Sequence, residues 1–328
     1  MNTLRSRTYS MTAMLSAFML VSQVAFAQQG EVQVNGVTLA YESFGEEGRE
    51  AILLVAGTGM QLTAWPPELC RALVDAGYRV IIYDNRDVGL STKLDAAGPP
   101  DWVRIFEALS VGAPPPLAYT VDDMAKDAVD LLDALGISKA HIVGVSGGAI
   151  IAQIVAATYP EYTLSLTTIM ATTGNPALPP MNQELQNLLM SLMPPPPSEK
   201  KAAIDRHVRI AQALGSPGYP VDEATLREVV RRDVERSYYP DGEARQAAAA
   251  FVAGDRREQL KTIKVPTVVV HGAEDPLVPV EAGRDVAANI PGAELRVIPG
   301  MGHDMPVELI DELTDAITTA ARRASSAE

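Results

Sequence analysis

Only one cysteine, Cys70, stands among 328 residues, so no disulfide can form within the chain. Histidine is nearly as scarce, at four residues: His141, His207, His271 and His303. No histidine pair or His/carboxylate cluster has ligand spacing, so no metal is expected. Positive charge is also short. With 27 Lys+Arg against 41 Asp+Glu, the formal net charge is −14 and no basic cluster offsets it. Such a chain repels a phosphate backbone, which argues against nucleic acid as a partner. No apolar run reaches the roughly 20 residues that a membrane-spanning helix needs. What remains is 47% apolar and 21% charged, a globular composition large enough for one big domain or two smaller ones.

The first 27 residues read as an address. Arg5 and Arg7 precede a weakly polar run over 12–24 that ends in Ala25-Phe26-Ala27. A basic start, a short apolar stretch and a small-x-small site describe a secretory signal peptide cut after Ala27. Export to a periplasm or the medium is expected, with no stable membrane insertion of the mature chain. In an oxidising space Cys70 is expected to be buried filler on the apolar face of its helix.

Along the mature chain, short β-branched runs alternate with helical patterns. Segments 31–35 and 37–44 flank Gly36 and alternate in period two, as an opening hairpin does. Runs at 52–55, 80–83, 141–145, 164–170, 265–270 and 295–298 are continuously apolar, as in strands covered on both faces. Helical patterns occupy 67–76, 121–135, 148–157, 280–289 and 307–322. This alternation predicts an α/β open sheet with right-handed crossovers. From 174 to 263 no convincing strand occurs, only helical patterns split by prolines, which reads as a helical cap inserted into a core of 28–173 and 264–328. A smaller excursion runs from 93 to 119.

The chemistry concentrates in four places. Gly144-Val145-Ser146-Gly147-Gly148 follows the run 141–145 and precedes the helical pattern at 148–157. That is a G-x-S-x-G nucleophile elbow in the strand–turn–helix context it requires. A serine hydroxyl needs a base to attack a carbonyl near neutral pH. His303 lies in Pro299-Gly300-Met301-Gly302-His303-Asp304, a glycine-rich loop directly after the last strand, and is the candidate base. His141 and His271 sit at strand ends and read as packed residues. His207, on an Arg-flanked cap helix, reads as solvated. The carboxylate that orients the base is expected at Asp275, in a turn closed by Pro276, with Glu274 as its neighbouring competitor. Two backbone N–H groups would hold a developing oxyanion: that of Gly147, and one from the loop Ala56-Gly57-Thr58-Gly59-Met60. Thr58 is the first choice in that loop and Gly59 the second.

With these residues in place, the chain resembles the α/β-hydrolase superfamily over nearly its whole mature length. The likeness rests on 54–60, on Asp84-Asn85-Arg86-Asp87-Val88-Gly89-Leu90-Ser91, on the serine elbow, on 271–279 and on 300–306. Trp65-Pro66 followed by a helical pattern, the segment 84–91 and Gly302-His303-Asp304-Met305-Pro306 are similar to the aclacinomycin methylesterase group. The resemblance implies an α/β-hydrolase fold, with a mostly parallel eight-stranded sheet, flanking helices and an inserted helical cap. It also implies hydrolysis of a small-molecule carboxylic ester by a Ser-His-Asp triad without cofactors. Where many members carry His-Gly before the oxyanion residue, this chain has Ala56-Gly57. Arg86 and Asp87 are read as loop-holding residues. Lactonase or C–C bond hydrolysis by the same triad, or ligand binding with little turnover, are the alternatives.

Substrate choice falls to the cap. Met181, Leu185, Leu188, Leu189, Leu192 and Met193 form an apolar stripe at helical spacing. The stripe either docks the cap or, through Met181, Leu185 and Leu189, touches substrate. Trp102 and Phe106 in the smaller excursion are further wall candidates.

Overall fold

The computed structural model describes residues 28–192 and 198–325. The signal-peptide reading at 1–27, and Met193 with the proline run at 194–197, lie outside the described residues.

Eight strands form one sheet: β1 (Gln28–Val34), β2 (Val37–Phe44), β3 (Ala51–Val55), β4 (Arg79–Tyr83), β5 (Ala140–Val145), β6 (Thr163–Ile169), β7 (Thr267–Gly272) and β8 (Glu294–Ile298). The helices are α1 (Pro67–Asp75), α2 (Trp102–Ser110), α3 (Val121–Ala134), α4 (Gly147–Thr158), α5 (Gln183–Ser191), α6 (Lys200–Leu214), α7 (Glu223–Arg236), α8 (Pro240–Val252), α9 (Arg257–Leu260), α10 (Val280–Asn289) and α11 (Ile310–Ser325). The strand order is β1-β2-β4-β3-β5-β6-β7-β8. Strand β2 pairs antiparallel with both β1 and β4, and every other pairing is parallel.

The apolar runs of β3, β4 and β5 are buried along their whole length because helices cover both faces. Successive side chains alternate between two cores, as the pleat dictates. Leu53, Ile81 and Ile142 meet α3 and α4 on one side. Ile52, Leu54, Val80 and Val143 meet α1 and α11 on the other. Each such leucine or isoleucine contributes about 1.5–3 kcal/mol of burial free energy. Helix α3 starts at a capping box in which Thr120 and Asp123 satisfy each other's backbone donors.

The run at 295–298 departs from the expectation of a strand covered on both faces. Strand β8 closes the sheet with a single neighbour, and Leu295 is 36% exposed. An edge strand borrows cover from one side only. Between β6 and β7 the described residues form no strand, only α5 to α9.

Arg86 and Asp87 hold loops together. Arg86 forms a two-pronged ion pair with Asp127 of α3 at 2.6 Å, and Asp87 pairs with Arg245 of α8 at 2.8 and 2.9 Å.

Candidate active site

Strand β5 runs into α4 through a single residue, Ser146, whose φ of 53° and ψ of −123° lie outside the regions that L-residues favour. Such a backbone costs about 1–3 kcal/mol and persists only where its surroundings enforce it. The surroundings here are glycines. A Cβ on Gly144 would overlap the Gly148 carbonyl oxygen, and one on Gly148 would overlap the Val55 and Ala56 carbonyls. Position 147 is equally crowded, because Thr58 lies directly over Gly147. The tight turn therefore presses β3's following loop against the start of α4.

Ser146 Oγ lies 2.9 Å from His303 Nε2, and His303 Nδ1 lies 2.7 Å from Asp275 Oδ2. The structure thus joins three residues spread over 157 positions into one chain of hydrogen bonds. With Nδ1–H donating to the carboxylate, Nε2 is the acceptor for the serine hydroxyl. Asp275 and Glu274 are separated by what they hold. Asp275 Oδ1 accepts the Leu277 and Val278 N–H groups at 2.9 and 2.8 Å, an Asx-type turn that aims Oδ2 at the imidazole. Glu274 points the other way and accepts the Gly300 N–H at 2.6 Å, bracing the histidine loop.

His271 is buried beside this group, 3.6 Å from Asp275 Oδ2. It donates Nε2–H to the Val278 carbonyl at 2.8 Å, and burial pushes its pKa below the ordinary value. It stays neutral and leaves the Asp275 charge to His303. His141 is buried too, hydrogen-bonded to Ser165 at 2.9 Å.

The histidine loop is tied to the end of α6. His303 N–H donates to Leu214 O at 2.8 Å, and Gly302 N–H donates to Ser216 Oγ at 2.8 Å. Ser216 Oγ in turn donates to the Asp304 carboxylate. Nothing in the local pattern at 214–218 signals this tether, because it exists only once the inserted helices dock.

Two N–H groups face the space before Ser146. Gly147 opens α4, so its N–H has no partner within the helix, and the helix dipole makes it a stronger donor. In the opposing loop, the Gly59 N–H is taken by Gln246 Oε1 at 2.7 Å. Among the described residues no acceptor takes the Thr58 N–H, which sits against Gly147.

A cavity of about 440 Å³ opens over Ser146 and His303. Its apolar wall includes Met60, Ile210, Leu214, Val230, Val234 and Leu277, and its polar wall includes His207 and Glu243. The substrate-wall expectations for Met181, Leu185, Leu189, Trp102 and Phe106 are corrected here, because none of them lines this cavity. Helix α5 packs on α6, so α6 rather than α5 faces the site, and Leu185 is buried behind it. Trp102 and Phe106 stack with Phe251 at centroid distances of 5.9 and 5.6 Å, and Phe106 is 53% exposed. His207, read as solvated, is half-buried. Its Nδ1 donates to Ala203 O at 2.8 Å, its ring meets Tyr238 edge-on, and its Nε2 faces Glu243. The one signal that could have found the polar wall is the trio Glu243, Arg245 and Gln246 on an otherwise alanine-rich helix.

Among the described residues no group of three His, Cys, Asp or Glu side chains could hold a metal, and no helix is long and apolar enough to cross a membrane.

Comparison with known proteins bears on the same elements. The family model described as alpha/beta hydrolase fold matches residues 50–308. Rhodomycin D methylesterase DnrP of Streptomyces peucetius is 29% identical over 308 residues, covering 88% of this chain and 96% of that protein. The 2-hydroxy-6-oxononadienedioate/2-hydroxy-6-oxononatrienedioate hydrolase of Burkholderia vietnamiensis is 29% identical over 260 residues, covering 78% of this chain and 81% of that one. The enol-lactonase from Burkholderia xenovorans superposes with a TM-score of 0.67 at 20% identity, over 89% of this chain and all of the other. The elbow, the eight-stranded sheet and the match across most of the chain converge on one statement: this chain belongs to the α/β-hydrolase fold family.

Proposed function

We propose that the protein hydrolyses a small-molecule carboxylic ester through Ser146, His303 and Asp275, with Gly147 and Thr58 as oxyanion donors. The observation that carries this reading is the unbroken path from Ser146 Oγ through His303 to Asp275, at 2.9 and 2.7 Å, beneath an open cavity. Ser146 Oγ forms a bond to the carbonyl carbon while its proton passes to His303 Nε2. Asp275 steadies the imidazolium, and the two N–H groups take the charge on the carbonyl oxygen. Collapse of the tetrahedral species breaks the bond to the alcohol oxygen, which leaves with the proton from Nε2. Water then repeats the sequence on the acyl-serine and releases the acid.

A serine at the elbow suits acyl transfer, since displacement at an alkyl carbon needs a carboxylate there. The methylesterase activity named for the rhodomycin relative supports an ester with a small alcohol. The cavity's 440 Å³ suits a ligand of moderate size, and its Met60, Leu214 and Val234 favour apolar bulk beside the ester. We assign residues 174–263 the role of a cap that selects substrate. Residues 1–27 are assigned to export, which N-terminal sequencing of the secreted chain tests. Profiling esters and lactones with the wild type beside Ser146→Ala tests the reaction. Loss of ester turnover on the order of 10⁶-fold in the variant supports it, and retained turnover overturns it.

A further inference from the structure

The polar wall of the cavity contains a carboxylate, Glu243, that the proposed triad does not use. Glu243 on α8 places its Cγ where a Cβ on Gly59 would sit, over the presumptive oxyanion loop, and its side chain is 42% exposed. Among the described residues its carboxylate forms an ion pair with His207, with Oε2 3.8 Å from Nε2. Two other ionisable groups of the wall, Asp233 and Tyr239, are engaged elsewhere. Asp233 accepts from Thr63 Oγ1 at 2.7 Å, and the Tyr239 hydroxyl donates to Asp95 and accepts from Arg245 at 2.7 and 2.9 Å.

A separation of 3.8 Å is too long for a direct hydrogen bond, yet it lets one further oxygen or nitrogen lie within bonding distance of both groups. His207 is held in orientation by its Nδ1–H bond to Ala203, so its Nε2 remains fixed on the gap. The Glu243 carboxylate beside it holds the imidazole above its ordinary pKa. Burial pushes the Glu243 carboxyl up, but the neighbouring His207 imidazole and the Arg206 charge outweigh it and hold the carboxyl below its ordinary value. A carboxylate that opens into a chamber with an apolar wall discriminates between ligands that bring a donor and those that do not.

Resting on the esterase reading, we propose that His207 and Glu243 form a specificity subsite for a hydrogen-bond donor, a hydroxyl or an ammonium, carried by the substrate at a distance from its ester carbonyl. The donor's hydrogen goes to Glu243, and a hydroxyl oxygen also accepts from Nε2–H when the His207 ring is protonated.

The test compares kcat/KM for methyl 2-naphthoate with its hydroxy derivatives substituted at ring positions 5, 6 and 7, and with the matching aminomethyl compounds, which separate hydroxyl from ammonium. At least one donor-bearing ester should be preferred by the wild type, and Glu243→Leu should reduce that preference ratio roughly 10- to 100-fold. Glu243→Gln, which keeps the shape, should fall between. Being a ratio within one preparation, the readout is insensitive to the fraction folded. No preference at any position, or a preference that survives Glu243→Leu, overturns the subsite and leaves the esterase reading intact. Failure of the wild type to hydrolyse these or any p-nitrophenyl ester overturns both.

Discussion

Gln246 Oε1 holds the Gly59 N–H at 2.7 Å while its Nε2 donates to Arg86 O at 2.6 Å, so one buried carboxamide of α8 fixes the loop that faces Gly147. This pairing removes Gly59 from the choice of oxyanion donor and leaves Thr58.

Replacing Gln246 with leucine should therefore free that loop. The expected result is a fall in kcat of about 10- to 100-fold with KM little changed, smaller than the roughly 10²–10³ for outright loss of an oxyanion donor. Steady-state kinetics on one ester, beside a thermal melt, separates misplaced donors from unfolding.

The two acidic neighbours should behave unlike each other. Asp275→Asn keeps the turn's shape but removes the charge that orients His303, and kcat should drop about 10⁴-fold. Glu274→Gln weakens only the brace on Gly300, costing about 1 kcal/mol of stability with kcat within tenfold of wild type. Equal losses in the two variants would contradict the assignment.

Gly148→Ala is expected to destabilise the fold by about 3 kcal/mol or more, because the added methyl meets the backbone carbonyls of Val55 and Ala56, which cannot rotate away. Chemical denaturation reads this directly. A neutral substitution would mean that the elbow is looser than described.

Asp127→Ala should cost about 3–5 kcal/mol, since it strands the buried Arg86 guanidinium and also removes the shorter of two hydrogen bonds from Asn35. The midpoint of urea unfolding is the measurement.

Burial pushes the Cys70 thiol from 9.0 up to about 12. The native protein should thus resist thiol reagents at pH 8 and react once only after unfolding. The sign of the linkage follows. The unfolded thiol ionises near pH 9 while the folded one keeps its proton, so this group's contribution to stability is complete below pH 9. It declines as pH rises towards about 12.

How far the sequence could be read depended on the range of the interaction. The strands were legible because helices on both faces leave an unbroken apolar run, as at β3 to β5, and the reading slipped at β8, where an edge position is a property of the whole sheet. Ser146 and His303 were legible because glycines around a reactive side chain record a local steric demand, which Gly144 and Gly148 meet against neighbouring backbone. The cavity wall was not. Periodicity locates an apolar stripe on α5 but cannot tell that α6 stands between it and the site. The arginines flanking His207 suggested water, whereas docking against α8 gave it Glu243 as a neighbour.

The central claim, that Ser146 is the nucleophile activated by His303, is tested most directly by treating the protein with a fluorophosphonate and mapping the adduct by mass spectrometry. One adduct per chain on the peptide containing Ser146, formed in step with loss of esterase activity and abolished in His303→Ala, is the predicted result. Activity that disappears with the label on another residue, or persists with Ser146 fully modified, would contradict it.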